Sequence, residues 1–392
     1  MVCTKDCFRL KISAVVQVTR STMGIAQFYS VFKQTYPETI YTILRRYETV
    51  AFDMNQWIHQ RFDHDVHHLA AEALKMITWH VRVSGACQII VVMDGVCPYP
   101  KLKLQRERRQ KSQRVCVSVG TDYMRTFSDV LRASLTSQLS PCLKAIYYSD
   151  TLVPGEGEHK IAHAIRYLGL TNVLVICIDA DFIMLALLNR LEGVHVWRHC
   201  RYYSDIVDIS QVLTRVHRPL NFFVNACLLG NDFLPRLTTK MWPLNDYVDD
   251  NDFFDATKLC LGYGATEDIN VTSYVQHLKW CIDYYRNYRI GWIPACDPPK
   301  KMTLDYLRQC RFVDDGSLAQ EPPAYSDTLE FQLLYTLPIV HLPDYLKLYI
   351  NIDEGEFMDE TNIELFLLFW NSIFGYEHKK CLKITSSRIN AT

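Results

Sequence analysis

The stretch Val173-Leu174-Val175-Ile176-Cys177-Ile178-Asp179-Ala180-Asp181 is an unbroken apolar run that ends in two aspartates. A run of this length without polar alternation suits a parallel strand buried on both faces, with helices covering the sheet. The same form recurs in Thr49-Val50-Ala51-Phe52-Asp53 and in Gln88-Ile89-Ile90-Val91-Val92-Met93-Asp94-Gly95. Ala145-Ile146-Tyr147-Tyr148-Ser149-Asp150 precedes Pro154-Gly155-Glu156-Gly157-Glu158, which reads as another strand-to-helix junction. The expected fold is therefore α/β, a mostly parallel twisted central sheet flanked by helices. In such sheets the strand carboxyl ends open onto one ligand crevice.

Asp53, Asp94, Glu156, Glu158, Asp179, Asp181 and the later Asp232 fall at or near those ends. One aspartate there reads first as a cap for the next helix, and a glutamate behind Pro-Gly as an ordinary acidic first turn. Their recurrence in register points instead to a shared site. Magnesium takes hard oxygen ligands and needs only one or two carboxylates per ion, so seven acids suit two ions. Without cations they would repel one another and protonate in part. A pair of ions about 4 Å apart clamps the attacking water and the leaving oxygen of an in-line displacement. The predicted chemistry is metal-dependent phosphodiester hydrolysis.

Directly after Asp94 the chain turns through Gly95-Val96-Cys97-Pro98-Tyr99-Pro100 and becomes basic, with Lys101, Lys103, Arg106, Arg108, Arg109, Lys111 and Arg114 against one acid, Glu107. On a helix Lys101, Gln105, Arg108 and Arg109 share a stripe. Isolated charge runs are usually solvated faces, but this one follows a carboxylate-bearing strand end. It could grip a terminal phosphate, arginine by its planar fork and lysine as a point charge.

These motifs resemble the Xrn family of 5′→3′ exoribonucleases, within the wider flap endonuclease and PIN-like superfamily. Met23-Gly24-Ile25-Ala26-Gln27-Phe28-Tyr29, Asp53-Met54-Asn55 with His59, the Asp94 block with its basic helix, Pro154 to Lys160, Asp179-Ala180-Asp181-Phe182-Ile183-Met184-Leu185 and Gly230-Asn231-Asp232-Phe233-Leu234-Pro235 match in order and approximate spacing. The resemblance covers residues 23 to about 240 and continues more weakly to about 350. It implies that the seven acids are metal ligands or their supports, for two Mg²⁺ ions that Mn²⁺ can replace. It further implies that Lys101, Gln105, Arg108 and Arg109 form a pocket for a 5′-monophosphate, with Asn55 in the substrate-binding set. His59 matches the ring that stacks on the first base, a sequence-tolerant contact; a lone histidine on a helix is as often surface or core. The implied substrate is single-stranded RNA with a 5′-monophosphate, degraded processively to mononucleotides, with a protein activator or decapping partner as a further expected partner. Two other functions fit the same residues: a structure-specific DNA flap endonuclease or 5′→3′ DNA exonuclease, and a non-catalytic RNA-binding protein of the same fold.

The implied organisation is an extension over residues 1–22, a nuclease domain over 23–245, and a mainly helical region over 246–392 that resembles a reduced second conserved region. Residues 1–22 carry Lys5, Arg9, Lys11 and Arg20 against Asp6 and read as a presequence, a tail, or sequence ahead of an initiator at Met23. Tyr274–Tyr285 is expected to be a helix whose aromatics belong to the core. The family's tryptophan partner for the stacking histidine has three candidates, Trp242, Trp280 and Trp292.

Composition agrees without deciding. The 392 residues are 49% hydrophobic, and a net charge of −1 excludes a passive basic nucleic-acid coat, so positive charge must act locally. Fourteen scattered cysteines without a Cys-x-x-Cys pair suit reduced thiols in a cytoplasmic or nuclear protein. His64, His67 and His68 read as a polar helix face rather than a zinc site. No run approaches the roughly 20 apolar residues of a membrane span, so no membrane partner is expected.

Overall fold

The structure, a computed structural model, describes residue 25, residues 28–111, 114, 116–200, 203–234, 269–287 and 329–347, and residues 358, 363 and 367. Seven strands, β1 (Ile40–Tyr41), β2 (Thr49–Asp53), β3 (Gln88–Val92), β4 (Ala145–Ser149), β5 (Val173–Ile176), β6 (Val194–Cys200) and β7 (Tyr203–Asp208), form one sheet in the order β1-β7-β6-β5-β2-β3-β4. Strands β2 to β6 pair in parallel, and β7 and β1 add an antiparallel edge. The expected parallel sheet is thus present, with β2 to β5 at the four expected apolar runs. The chain places β3 and β4 on one side of β2 and β5 on the other. The reversal of strand order next to β2 is where an α/β sheet leaves a crevice at its carboxyl ends.

Side chains alternate between two cores across the sheet, as strand geometry requires. Val50, Phe52, Ile89, Val91 and Leu174 join one hydrophobic cluster, whereas Ala51, Ile90, Val92, Val173 and Val175 join the other. Both faces are buried, which explains why these strands lack polar alternation. The helices that cover them include α1 (Phe28–Thr35), α2 (Met54–Arg61), α3 (Val66–Ser84), α5 (Asp122–Gln138), α6 (Gly157–Leu168), α7 (Asp181–Leu188), α8 (Ile209–Arg215), α9 (Pro219–Cys227) and α10 (Ile269–Asn287), while α4 (Tyr99–Gln110) and α11 (Leu329–Thr336) share a separate cluster. Helices α3 and α5 bury Ile77 and Phe127 with Phe52. Phe28, Ile161, Phe182, Phe223 and Tyr284 fill the other side. Asp65 starts α3 by accepting from the backbone N–H of His67 and His68, and Gly85 at φ 68° ends it. His68 also pairs with Asp63 at 2.7 Å on the exposed surface, in keeping with a polar helix face.

Among the described residues beyond 245, α10 contains the helix expected over Tyr274–Tyr285. Tyr274, Leu278, Cys281 and Tyr284 of α10 belong to the same core as the strands. Helix α11 packs on α4, with Leu333 and Leu334 against Cys97 and Leu102. Trp280 is buried and stacks on Tyr284 at 5.1 Å and 7°, a core placement. Trp242, Trp292 and residues 1–22 lie outside the described residues. Every cysteine whose side chain is described is a free thiol. No described helix is long and apolar enough to cross a membrane.

The loops after β3 and β4 are laced together. Gly95 N donates to Gly155 O at 2.7 Å, and Gly155 N donates to Val96 O at 2.9 Å. A Cβ on Gly95 would lie 1.8 Å from the Val153 carbonyl oxygen, which belongs to rigid backbone. Gly95→Ala is therefore expected to lower unfolding stability by about 2 kcal/mol or more, read by urea denaturation. A loss below about 0.5 kcal/mol would contradict this close approach.

Candidate metal centre

The crevice beside β2 collects the carboxylates. Asp53 ends β2 and also caps α2, accepting from Asn55 N at 3.2 Å. The capping and site readings of this residue both hold, because the cap fixes the carboxylate at the strand end. Asp94 lies two residues past β3 and is held from three directions. Its Oδ1 accepts from Gly157 N at 2.7 Å, its Oδ2 accepts from Asn55 Nδ2 at 2.7 Å, and its own N–H donates to Asn55 Oδ1 at 2.9 Å. Asn55 thus has its side chain committed to Asp94. Gly157 opens α6 so close to β2 that a Cβ there would meet Asp53 Oδ1 at 2.6 Å.

Glu156 and Glu158 flank that glycine. Glu156 is 4% exposed; its Oε1 forms an ion pair with Lys101 of α4, while its Oε2 is buried without a hydrogen-bond partner among the described residues. Asp179 accepts from Asp181 N at 3.0 Å. Asp181 is anchored by Ile25 N at 3.3 Å on Oδ1 and by the Tyr285 hydroxyl at 2.8 Å on Oδ2. Asp232 sits 3.8 Å from Arg108 Nη2.

Mutual electrostatics tie all seven acids into one cluster. Burial, then Asp94, Asp179 and Glu156, push Asp53 up to about 8. Burial raises Glu156 to about 7 despite Lys101, which pulls it down, with Asp94 and Asp232 adding to the rise. Burial and Asp179 raise Asp181 to about 7. Glu158 is held well above the usual carboxylate range by burial, Asp179 and Glu156. Lys160 reaches beneath the cluster to donate to the carbonyls of Met93 and Asp150 at 2.7 and 2.8 Å.

The basic stripe of α4 runs along this cluster. Lys101 is drawn in to Glu156, and Arg108 faces Asp232. Arg109 donates through Nε to Ser118 Oγ at 2.6 Å. Gln105 is half-buried on the same helix. His59 is held down at about 4 by burial and then by Arg109, with Arg114 adding to the effect and Asp94 opposing it. Its ring is therefore neutral near pH 7 and shares its surroundings with both the cluster and the basic helix.

Two residues here were not anticipated. Tyr285 was expected to be core, and its ring does pack on Phe223 at 4.8 Å, but its hydroxyl also reaches a cage carboxylate. His159 places a ring nitrogen with Glu156 and Glu158 so that the three ligand atoms lie within 4.8 Å of one another, and its Nε2 donates to the Tyr284 carbonyl at 3.2 Å. Nothing in the periodicity of residues 274–285 distinguishes Tyr285 from its core neighbours. The donor set fits hard divalent cations. It is rich in carboxylate oxygen, Asp53, Glu156, Glu158 and Asp181 are raised by burial and then by their acidic neighbours, and Glu156 Oε2 is buried with no partner among the described residues.

Residues 23–115 and 110–199 match the family model of the XRN 5′-3′ exonuclease N-terminus. Among relatives, 5′-3′ exoribonuclease 2 of Schizosaccharomyces pombe is 30% identical over 163 residues, covering 30% of this chain and 16% of its own length. The 5′-3′ exoribonuclease 1 of Homo sapiens is 26% identical over 303 residues, covering 55% of this chain and 17% of that protein. The chain thus spans less than a fifth of the length of these relatives. Two solved structures align more loosely. The catalytic core of Rad2 in complex with DNA substrate aligns with TM-score 0.43 at 17% identity over 73% of this chain and 92% of that one. T5 D15 protein co-crystallized with metal ions aligns with TM-score 0.37 at 11% identity over 60% and 86%.

The raised acids set a sign for pH. Between about pH 4 and pH 8 the folded protein keeps protons on Asp53, Glu156 and Asp181 that the unfolded chain has released, so the metal-free protein loses stability as pH rises through that window. Millimolar Mg²⁺ is expected to raise the unfolding temperature more at pH 8 than at pH 6; an equal or reversed increment would contradict the arrangement. Tyr285→Phe should leave the metal-free protein folded while raising the Mg²⁺ concentration for half-maximal thermal stabilisation about tenfold. An unchanged midpoint would show that the Asp181 contact has no bearing on the cage.

Proposed function

We propose that this chain, a member of the XRN 5′-3′ exonuclease family by its residues 23–199, hydrolyses single-stranded RNA from a 5′-monophosphate end, one nucleotide at a time. The observation that carries this reading is the meeting of one buried carboxylate cluster with one basic helix, joined where Lys101 touches Glu156 and Arg108 faces Asp232. Asp53, Asp94, Glu156, Glu158, Asp179, Asp181 and Asp232 would hold two divalent cations, Mg²⁺ by the hardness of the donors with Mn²⁺ as an alternative. Bound there, such ions supply an activated water and neutralise charge at the scissile phosphate.

The remaining work falls to the chain's own groups. Asn55 and Gly157 N fix Asp94, while Tyr285 and Ile25 N fix Asp181, so both carboxylates keep their orientation when the charge around them changes. Arg108, Arg109 and Gln105 would bind the 5′-phosphate by directed N–H donors. Lys101 compensates Glu156 in the structure, and phosphate binding would draw on the same ammonium. Neutral His59 offers an aromatic face to the first base without adding charge beside Arg109. With no base-specific contact in this set, the reading implies little sequence preference and a strong 5′-end preference.

Four matched strands, RNA and DNA, each with a 5′-monophosphate or 5′-hydroxyl and labelled at the 3′ end, test this in Mg²⁺. Only the monophosphorylated RNA is expected to shorten from its 5′ end. Preferential cutting of DNA would move the protein to DNA exonuclease or flap chemistry, and no cutting of any strand would remove the enzymatic reading. Asp94→Ala should lower turnover at least a thousandfold, about 4 kcal/mol of barrier. Arg108→Ala with Arg109→Ala should erase the preference for monophosphate over hydroxyl ends, and a preserved preference would refute the pocket.

A further inference from the structure

The cage does not account for a second concentration of positive charge. Where α7 ends, α9 begins and α10 ends, Arg190, Arg218, Arg286 and His217 line a concavity of about 600 Å³. Arg286 also lines an adjoining concavity of about 330 Å³, together with Arg166, His163, Tyr167 and Asn189. His159 and Tyr285 form part of the wall of the second concavity. It therefore lies one layer of side chains from Asp181, which Tyr285 touches from the inside.

Part of this charge has an ordinary explanation. Arg166 and Arg286 occupy the last turns of α6 and α10, where a cation complements the helix dipole. Arg166 also donates to Asn189 Oδ1 at 2.9 Å. Arg218 and Arg190 are different. Arg218 is the residue that precedes the first turn of α9, with no side-chain cap there; a cation at that end opposes the dipole. Arg190 stands in the left-handed region at φ 48°, uncommon for a side chain other than glycine. No carboxylate among the described residues lines either concavity. Among the described residues no ion pair joins Arg166, Arg190, Arg218 or Arg286 to an acid. In a chain of net charge −1, four arginines gathered without a counter-charge among the described residues form a local field that attracts anions. Guanidinium groups match phosphate oxygens in geometry as well as charge. Tyr167 adds an aromatic face: it is 77% exposed, and its ring lies parallel to that of His163 at 6.0 Å and 12°. Phosphate-binding cations interleaved with an open ring are the combination that holds a single strand without reading its sequence.

We propose that these two concavities bind the phosphates of single-stranded RNA outside the metal cage, with Tyr167 stacking a base. This rests on the RNA-degrading function above. The surface would add affinity for long strands and leave the reacting end to the cage and α4.

Fluorescence anisotropy in EDTA, where nothing is hydrolysed, tests it on the full chain with single-stranded RNA of about 20 nucleotides. The triple variant Arg190→Ser, Arg218→Ser, Arg286→Ser is expected to bind about tenfold more weakly. The slope of log affinity against log salt should fall by about 2, three lost phosphate contacts at about 0.7 each. Its turnover of a four-nucleotide 5′-monophosphorylated RNA in Mg²⁺ should match that of the unaltered protein, which also reports correct folding. Tyr167→Ala, a single exposed change, should weaken long-strand binding about threefold even if the triple variant folds poorly. Unchanged affinity and salt slope, with RNA still bound, overturn this surface alone; no RNA binding by the unaltered protein in EDTA overturns it too, and no shortening of RNA by that protein in Mg²⁺ overturns the parent function as well. A loss confined to binding of adenosine 5′-monophosphate would assign the arginines to a released nucleotide and overturn the strand reading.

Discussion

Seven carboxylates crowded at the carboxyl end of a parallel sheet repel one another, and the rest of this molecule is arranged so that the repulsion neither opens the crevice nor scatters the side chains. The key restraint is the close approach of α6 to β2. Gly157 has no side chain, so its N–H reaches Asp94 while its Cα sits against the Asp53 carboxylate. A helix start at that point offers backbone donors and a favourable dipole end to two strand-end acids at once. Burial raises Asp53 and Glu156 towards neutrality, and the system then responds strongly to any cation that enters.

The supports of this crevice come from segments far apart in the chain. Helix α4 brings Lys101 to Glu156, and α11 packs on α4. There Arg106 donates to the Tyr335 carbonyl at 3.0 Å, and Gln332 accepts from Cys97 N at 2.9 Å. Helix α10 reaches Asp181 through Tyr285 and His159 through the Tyr284 carbonyl. Helices α10 and α11, both beyond residue 245, therefore bear on the carboxylate cluster. The same aromatic residues that fill the core transmit position to the carboxylates, so loss of packing in α10 is expected to appear first as altered metal affinity.

Much of this was legible in the sequence because the physics is local. Unbroken apolar runs such as 173–178 suit strands buried on both faces, and the acids after them fall within three residues of the strand ends. The basic stripe following Asp94 was legible for the same reason, since α4 begins within a few residues of β3. The antiparallel edge was not. Strand β6, on which that edge pairs, mixes His195, Arg198 and His199 with apolar residues, and Arg198 meets the Ile178 carbonyl at 2.7 Å only after folding. Tyr285 was illegible because its helix periodicity is that of a core residue, and its hydroxyl meets Asp181 across 104 positions of sequence. The resemblance puts Asn55 in the substrate-binding set, but its commitment to Asp94 depends on β2 and β3 lying side by side.

The central claim is that the carboxylate cluster is a cage for two divalent cations, and anomalous X-ray diffraction from crystals soaked in Mn²⁺ tests it most directly. The account predicts two anomalous peaks enclosed by Asp53, Asp94, Glu156, Glu158, Asp179, Asp181 and Asp232, with Glu156 Oε2 among the ligands and both peaks lost in Asp94→Ala. An empty cluster at saturating Mn²⁺, with Lys101 still seated on Glu156 and peaks only elsewhere on the surface, would contradict it.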